Sequence, residues 1–324
     1  MTPLRPLLRA VPGGNRLAGQ DLWFSEVAQG AEVLSDLSNR DLSPFITPRA
    51  PICGLPMDRP HVMGILNVTP DSFSDGGSFD APDAALTRAR ALAEVCDMID
   101  IGGESTRPGA HEVPVDEEIA RTAPVIAAIR AAGITTPISI DTRKAKVAEA
   151  ALNAGADLIN DVAAFEFDPE MADLAAERGA PVCIMHAQGL PEHMQDNPRY
   201  GDVVSEVYRY LEARIAFCED KGIARSAILV DPGIGFGKTV THCLELMRDL
   251  AVFHGLGVGV LLGASRKSFI GAVANEPDPQ ARMPGSLAAA LWGASQGMQM
   301  IRVHDAAQTA QALRLWRAME RGEP

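Results

Sequence analysis

Cysteine pairs and long apolar runs are missing from this sequence. The five cysteines are odd in number, widely spaced and never arranged as C-x-x-C, which indicates neither a disulfide framework nor a zinc site. A reducing cytoplasm is therefore the expected setting. No apolar stretch approaches the roughly 18 to 20 residues that cross a bilayer, so no membrane partner is expected. Pro3 and Pro6 interrupt the N-terminal segment, which favours a flexible lead-in over a secretory signal, although the lack of acidic residues before Asp21 leaves a transit peptide open.

Positive charge is also scarce. The 324 residues include 29 basic and 42 acidic side chains, which gives a formal net charge of −13. This balance lacks the clustered Lys and Arg of a nucleic-acid-coating surface, so no nucleic-acid partner is expected. If the substrate is an anion, local basic residues must bind it against the field of the whole molecule. With 47% hydrophobic and 22% charged residues, the composition excludes a disordered or fibrous chain.

Eight short apolar runs alternate with longer amphipathic segments after about residue 58. Each run is continuously apolar and bounded by Gly, Pro, Asp or Asn, which is typical of strands buried on both faces of a parallel sheet. The eight predicted strands are 62–66, 98–101, 138–140, 157–160, 181–185, 228–230, 259–262 and 299–303. They predict an α/β fold of the (β/α)8 TIM-barrel type, with a doubly wound open sheet as the alternative.

Residues 1–58 do not follow this alternation. Apolar residues within 21–33 predict that part of this segment packs on the barrel, so we divide the chain into an N-terminal extension (1–58) and a barrel catalytic domain (59–324). Apolar residues at three- and four-residue steps predict a helix within 201–221. Asp305 followed by Gln308 resembles a capping box and predicts that the last helix begins there.

Polar residues end three of the predicted strands, where a barrel places its reactive groups. The third strand ends at Asp141, the fourth at Asn160 and Asp161, and the sixth at Asp231. Helix capping could explain any one of them. Together at a packed barrel mouth they require partners, because buried polar groups without hydrogen bonds are costly. A flat heterocycle rich in N–H donors is the natural partner.

Basic residues follow the last two strands. Arg266 and Lys267 stand together at the mouth, and Arg302 and His304 are two residues apart, which puts both side chains on one face of a strand. A lone histidine is usually structural. With Arg107 and Lys267 on neighbouring loops, however, the inward-facing Arg302 and His304 indicate a phosphate or diphosphate site.

Two glycine-rich runs resemble nucleotide motifs but fail their spacing. The run DPGIGFGKT (231–239) has Pro232 where a P-loop requires glycine, and GLGVGVLLG (255–263) does not fit the dinucleotide pattern. Asn67 after the first strand could be a metal or phosphate ligand, or could form a turn. His186 after the fifth strand stays ambiguous, since it and His193 lack zinc-ligand spacing.

Several long runs resemble the dihydropteroate synthases, the folate-pathway enzymes that carry the sulfonamide target site. The matching runs are NVTPDSFSDGG (67–77), DIGGESTRPGA (100–110), SIDT (139–142), GADLINDV (155–162), DPGIGFGKT (231–239), GASRKSFIG (263–271), PGSLAAA (284–290) and IRVHD (301–305). They stand in the expected order, and the resemblance spans residues 61 to about 317, nearly the whole predicted barrel but not the extension.

The resemblance implies an SN1-like transfer assisted by magnesium (Mg²⁺). In it, 6-hydroxymethyl-7,8-dihydropterin diphosphate condenses with p-aminobenzoate to give 7,8-dihydropteroate and pyrophosphate. A homodimer formed through the last helices is also implied. The implied catalytic residues are Asp141, Lys267 and Arg302. The implied pterin contacts are Asp141, Asn160, Met185, Asp231, Gly263, Lys267 and Arg302. The implied diphosphate contacts are Asn67, Arg107, Arg302 and His304, with Asn67 also on the metal. The implied p-aminobenzoate contacts are Thr106, Pro108, Phe236 and Ser268.

Two other functions fit parts of this pattern. A folate-dependent methyltransferase would keep the polar strand ends but has no use for the complete set of basic residues. A degenerate paralogue that binds pterin without turnover would lose loop residues, whereas NVTPDSF and ESTRPG are intact here. The sequence therefore favours the synthase.

Overall fold

The computed structural model describes residues 2–69, 81–105, 109–189 and 193–322. Five short strands precede the barrel: β1 (Leu4–Pro6), β2 (Asn15–Arg16), β3 (Trp23–Phe24), β4 (Val27–Gln29) and β5 (Glu32–Leu34). The barrel strands are β6 (His61–Asn67), β7 (Met98–Gly102), β8 (Ile138–Asp141), β9 (Leu158–Asp161), β10 (Val182–Met185), β11 (Ile228–Asp231), β12 (Gly259–Leu262) and β13 (Met300–Val303).

The eight later strands pair in parallel in chain order, and β13 pairs with β6 to close the barrel. The (β/α)8 prediction is therefore confirmed and the open-sheet alternative is wrong. Each predicted strand coincides with a barrel strand, and the predicted ends differ from the observed ones by one residue at most. The parallel barrel buries both faces of every strand, which is why the runs are apolar throughout rather than alternating.

Helices follow the strands and cover the barrel. They are α1 (Ser43–Ile46), α2 (Ala81–Ala93), α3 (Val115–Ala131), α4 (Ala145–Ala154), α5 (Met171–Arg178), α6 (Val203–Asp220), α7 (Val240–Arg248), α8 (Ser268–Ala274), α9 (Met283–Ser295) and α10 (Ala306–Arg321). The helix predicted within 201–221 is α6, and its N-cap Asp202 accepts a hydrogen bond from the Ser205 backbone N–H. None of the helices in the described ranges combines the length and the apolar character needed to cross a membrane.

The capping box predicted at Asp305 is wrong. Helix α10 does begin after Asp305, but the Asp305 side chain makes no capping hydrogen bond. Its carboxylate instead accepts two hydrogen bonds from Arg266, from Nε at 3.0 Å and from Nη2 at 2.6 Å. A bidentate pair joins the carboxylate to a charged guanidinium through two parallel hydrogen bonds, whereas capping would pair it with a neutral backbone N–H group. The pair holds the loop after β12 against the end of β13.

The barrel interior is divided into two layers because side chains two residues apart on a strand share a face. The layer near the amino ends is apolar and consists of Met63, Met98, Leu158, Cys183, Leu229, Leu261 and Met300. Ile52 and Met57 of the extension pack beneath it. Two residues further along the strands, Asp100, Asn160, Asp231 and Arg302 replace the apolar side chains. The polar layer therefore lies at the carboxyl ends of the strands.

The extension has its own small β structure. Strands β1, β4 and β5 form an antiparallel sheet, β2 pairs with β3, and Leu22, Phe24 and Val27 lie in a buried cluster, whereas Val33 is exposed. Gln20 Nε2 donates to the Gly297 carbonyl at 2.9 Å, which ties this cluster to the barrel.

Candidate active site

The predicted pterin contacts come from neighbouring strands of the polar layer. In the strand register, Asp141 of β8 stands beside Asn160 of β9, and Met185 of β10 stands beside Asp231 of β11. All four are buried. The alternation of the strands puts them on the inner side of the barrel: Asn160, Met185 and Asp231 each follow an apolar core position by two residues, and Asp141 follows the buried Ser139 in the same way.

Arg302 bridges two buried carboxylates in this layer. Its Nε donates to Asp100 Oδ2 and its Nη2 donates to Asp141 Oδ2, both at 2.6 Å. Asp100 also accepts a long hydrogen bond from Asn160 Nδ2 at 3.4 Å. Burial opposes the charge of Arg302, but the carboxylates of Asp100 and Asp141 outweigh it and raise the pKa of the guanidinium. Arg302 therefore stays charged. A guanidinium has five N–H donors, and two of them bond to Asp100 and Asp141, so Arg302 keeps donors for a ligand.

Asp141 carries an acceptor that no described residue satisfies. Its Oδ2 pairs with Arg302, whereas its Oδ1 is buried and makes no hydrogen bond with the described part of the chain. Burial raises the pKa of the Asp141 carboxyl to about 7; the Arg302 charge opposes this rise, and the Asp100 charge adds to it. An unpaired buried acceptor costs about 1–3 kcal/mol. This oxygen is therefore a candidate partner for a ligand N–H group.

Asp231 has one oxygen in use and one open. Its Oδ1 accepts from the Gly233 backbone N–H at 2.7 Å, while Oδ2 makes no hydrogen bond with the described residues. A Cβ atom on Gly263 would stand 3.2 Å from Oδ2, so the glycine keeps space free beside this oxygen. Burial raises the pKa of Asp231, and the nearby Lys267 charge opposes that shift.

Lys267 lies at the edge of the same space. Its Nζ donates to the Ile234 carbonyl and stands 4.4 Å from the centre of the Phe236 ring. Burial lowers the pKa of Lys267 to about 8, although the charge of Asp231 opposes the shift. Phe236 also lines a cavity of about 360 Å³. Ser268, predicted beside p-aminobenzoate, is exposed at the first position of α8.

The predicted phosphate and metal residues lie around the rim. Asn67 ends β6, and its carboxamide makes no hydrogen bond with the described residues. His304 follows β13, and its Nδ1 lies 3.1 Å from Ser265 Oγ. Over the described ranges, no cluster of three His, Cys, Asp or Glu side chains could hold a metal ion. The three remaining predicted contacts, Thr106, Arg107 and Pro108, lie outside the described residues.

A buried charge network anchors both ends of the loop that contains these three residues. Glu104 at the start of the loop pairs with Lys144 at 2.6 Å and with Arg143 at 2.5 Å. Glu104 also accepts from the Val113 backbone N–H at 2.8 Å, and Lys144 donates to the Val113 carbonyl at 2.5 Å. Glu118 of α3 completes the network by pairing with Lys144 at 2.8 Å. The loop ends are thereby held beside the start of α4.

Sequence reasoning missed Asp100 and gave no partner for Arg266. Asp100 is a single charged residue within the apolar strand β7, two positions after the inward-facing Met98, and that spacing could have identified it. Arg266 stands beside Lys267 in the loop after β12, as expected. Its guanidinium bonds to Asp305 and Gln280, so Lys267 is the cation that this loop leaves beside the polar layer.

His186, which the sequence left ambiguous, is a partner of Lys238. The Nδ1 atom of His186 lies 2.8 Å from Lys238 Nζ. Burial, together with the Lys238 charge, lowers the pKa of His186 to about 3, so the imidazole is neutral at ordinary pH. Lys238 stands in the run that resembled a P-loop, and the sequence offered no reason to pair it with a histidine.

Comparisons with known proteins agree with this geometry. A family profile described as "Pterin binding enzyme" matches residues 63–304. The chain is 48% identical over 262 residues to the dihydropteroate synthase of Escherichia coli strain K12, covering 81% of this chain and 92% of that protein. The structure of Xanthomonas albilineans dihydropteroate synthase with 4-aminobenzoic acid matches with a TM-score of 0.79 at 46% identity, over 84% of this chain and 98% of that one.

A second Xanthomonas albilineans structure, in complex with 7,8-dihydropteroate, matches with a TM-score of 0.76 at 43% identity, over 84% of this chain and 99% of that one. The relatives are matched over almost their full length, and the matched region contains the closed barrel with its polar layer. This chain therefore belongs to the pterin-binding enzymes and, within them, to the dihydropteroate synthases, which are transferases.

Proposed function

We propose that the polar layer seats a reduced pterin and that the mouth joins it to p-aminobenzoate with loss of pyrophosphate. The observation that carries this proposal is the pair of unused carboxylate oxygens, Asp141 Oδ1 and Asp231 Oδ2. A reduced pterin has N–H donors along its edge and a ring carbonyl. Its donors would satisfy the two oxygens, and Lys267 would donate to the carbonyl.

The neighbouring residues complete the proposed pterin seat. Asn160 supplies an amide beside Asp141, and Met185 supplies an apolar surface for the ring. Gly263 has no side chain to occupy the space beside Asp231. Because the polar groups of this seat are buried, leaving them without hydrogen-bond partners costs free energy. A ligand that bonds to them gains a correspondingly large binding free energy.

Arg302 is the proposed contact between the pterin and its diphosphate. Two of its donors hold Asp100 and Asp141, and the remaining N–H groups can bind phosphate oxygens. The guanidinium also offers a flat face on which the pterin can stack. His304 and Arg107 are proposed to hold further phosphate oxygens.

Asn67 at the rim fits a magnesium ion whose other ligands come mainly from the substrate. Asn67 offers one carboxamide oxygen that no described residue bonds, and Mg²⁺ usually takes one or two protein ligands together with substrate phosphates and water. Asn67 would hold the ion against the diphosphate. When bound, the ion supplies positive charge that neutralises the leaving diphosphate.

In the proposed reaction, the bond between the pterin methylene and the diphosphate oxygen breaks before the amine attacks. Positive charge develops on the methylene, and the ionised Asp141 stabilises it. Negative charge develops on the diphosphate, and Arg302 stabilises it; this is electrostatic catalysis by groups already in place. The amine of p-aminobenzoate then bonds to the methylene and loses a proton. The residues proposed to hold p-aminobenzoate are Thr106, Pro108, Phe236 and Ser268.

A two-substrate assay tests this function. The purified protein is mixed with the dihydropterin diphosphate and p-aminobenzoate, with and without Mg²⁺, and pyrophosphate release is followed. We expect release to require both substrates and the metal. Methyl transfer from methyltetrahydrofolate to a corrinoid protein, without pyrophosphate release, would identify the methyltransferase instead. Tight pterin binding without any product would identify a degenerate paralogue.

The homodimer and the division at residue 58 belong to the same proposal. Large apolar side chains remain exposed on neighbouring helices α7 to α10, which supports an interface there: Leu244, Val273, Trp292, Leu315 and Met319. Light scattering is expected to give twice the chain mass of 34.4 kDa. A monomeric mass at micromolar concentration would contradict the dimer.

A further inference from the structure

Lys238 is a buried lysine without an acidic partner among the described residues. Its side chain is 3% exposed, and its ammonium makes three polar contacts. Nζ lies 2.8 Å from His186 Nδ1, and it donates to the Phe236 carbonyl at 3.0 Å and to the His186 carbonyl at 3.3 Å. A buried ammonium is costly unless hydrogen bonds compensate for its lost hydration, and its three protons match these three acceptors.

These contacts join the loop after β10 to the loop after β11, which carries Phe236 of the candidate site. His186 follows β10, and Phe236 and Lys238 belong to the loop after β11. We call the pair of His186 and Lys238 the His186–Lys238 clamp. The His186 ring also packs edge-on against the Tyr210 ring, with centroids 4.8 Å apart, so the imidazole cannot easily turn away from the lysine.

The two loops touch so closely that only glycine fits at two points. A Cβ atom on Gly233 would stand 1.9 Å from the His186 carbonyl oxygen, and one on Gly237 would stand 2.2 Å from the Gln188 carbonyl oxygen. Both glycines have positive φ, at 67° and 60°. The backbone on each side of Phe236 is therefore pressed against the loop after β10, and the clamp closes this contact.

The clamp acts on Phe236, whose ring lies against Lys267 in the candidate active site. We propose that Lys238 is a positioning residue that fixes Phe236 through the clamp and so sets the affinity for the second substrate. This inference rests on the proposed contact between Phe236 and p-aminobenzoate. The clamp holds the Phe236 carbonyl directly, and the pterin seat on Asp141 and Asp231 does not include it.

Steady-state kinetics of Lys238→Met test the inference. If loss of the clamp removes about 1.4 kcal/mol of binding, the KM for p-aminobenzoate rises about tenfold. The KM for the pterin diphosphate and the kcat are expected to stay within about twofold. The matched control is Lys146→Met, which removes an exposed lysine from α4 and should leave all constants unchanged.

A double-mutant cycle separates positioning from general loosening of the fold. In a Phe236→Ala background, the further change Lys238→Met is expected to leave the KM for p-aminobenzoate unchanged, because the ring on which the clamp acts is gone. An equal tenfold effect in both backgrounds would overturn the inference. Two variants of His186 keep the inference testable if Lys238→Met does not fold. His186→Asn keeps an acceptor near the Nδ1 position and should retain a near-normal KM, whereas His186→Leu should not.

A readout that needs no turnover distinguishes failure of this inference from failure of the proposed function. With 4-fluorophenylalanine at position 236, the ¹⁹F resonance of Lys238→Met is expected to move or broaden, while that of Lys146→Met stays in place. An unmoved resonance overturns the inference whatever the enzyme does. A moved resonance with an unchanged KM for p-aminobenzoate also overturns it. Absence of pyrophosphate release from the unsubstituted protein would instead count against the proposed function.

Discussion

Replacing Asp231 by asparagine separates the binding role of this carboxylate from its effect on stability. In the folded protein, Oδ1 accepts from the Gly233 backbone N–H at 2.7 Å, and Oδ2 accepts from no residue that the structure describes. The amide oxygen of asparagine can keep the Gly233 hydrogen bond. Its NH2 group then takes the place of Oδ2, so an acceptor becomes a donor while the shape of the side chain is retained.

The expected loss of pterin affinity follows from that exchange. A hydrogen bond from a pterin N–H group to a carboxylate is worth about 1.5–3 kcal/mol, and in Asp231→Asn two donors face each other instead. We therefore expect the Kd for a pterin ligand to rise roughly 10- to 150-fold, since each 1.4 kcal/mol is a factor of ten.

The expected effect on stability has the opposite sign or is absent. Burial raises the pKa of Asp231, so the folded state binds this proton more tightly than the unfolded chain does. Stability contributed by the protonated carboxyl is present at low pH and is lost as the pH rises above the ordinary range of an aspartate. The charged form of this carboxylate is buried, and a neutral amide removes the cost of burying that charge. The Tm of Asp231→Asn should match or exceed that of the unsubstituted protein.

Calorimetric titration with a pterin and thermal unfolding at pH 8 measure the two effects, and Asp161→Asn is the matched control. Asp161 also ends a barrel strand, and burial raises its pKa to about 6. Both its oxygens accept backbone N–H groups, from Ala163 at 2.7 Å and Phe165 at 2.8 Å. Its asparagine variant should lose about 1–3 kcal/mol of stability and keep pterin affinity. Unchanged affinity in Asp231→Asn, or a Tm lowered as in the control, would refute the reasoning.

Three further substitutions test other parts of the site. Arg302→Lys should lower kcat/KM by about 100-fold or more, because lysine cannot hold Asp100 and Asp141 in one planar fork and also reach the diphosphate; near-normal kinetics would show that the fork is dispensable. Asp141→Asn should flatten the pH dependence of stability between about pH 4 and pH 7. In that window the folded carboxyl, with its pKa raised to about 7, holds a proton that the unfolded chain releases, so the stability of the unsubstituted protein falls as the pH rises. Equal changes in the urea midpoint of both proteins between pH 5 and pH 7.5 would contradict this. Met57→Ala should cost about 2–5 kcal/mol in urea unfolding and leave pterin affinity unchanged; a parallel loss of affinity would connect the barrel floor to the mouth.

Local pattern alone predicted the barrel strands and the polar residues at their carboxyl ends. The continuous apolar runs predicted all eight barrel strands, because a strand buried on both faces has no polar side to show. Polar residues at the ends of such runs, as at Asp141, Asn160 and Asp231, also stood out, because a packed barrel has no use for them without partners. The motif runs added the family, and the comparisons confirmed it.

Contacts between distant residues were beyond the reach of the sequence. Arg302 is 202 positions from Asp100 and 161 from Asp141, and the three meet because β13, β7 and β8 belong to one closed barrel. Closure of the barrel also brings Asp305 next to Arg266, and this ion pair forms in place of the capping hydrogen bond that the local sequence pattern predicted.

The same reason explains the clamp. His186 and Lys238 are 52 positions apart, and each looked ordinary or misleading within its own run. The sequence by itself determined the strands, the barrel and the chemistry available at its mouth, because those depend on neighbours along the chain. The tertiary structure alone decided which charge neutralises which, because that depends on strands and loops that become neighbours when the barrel closes.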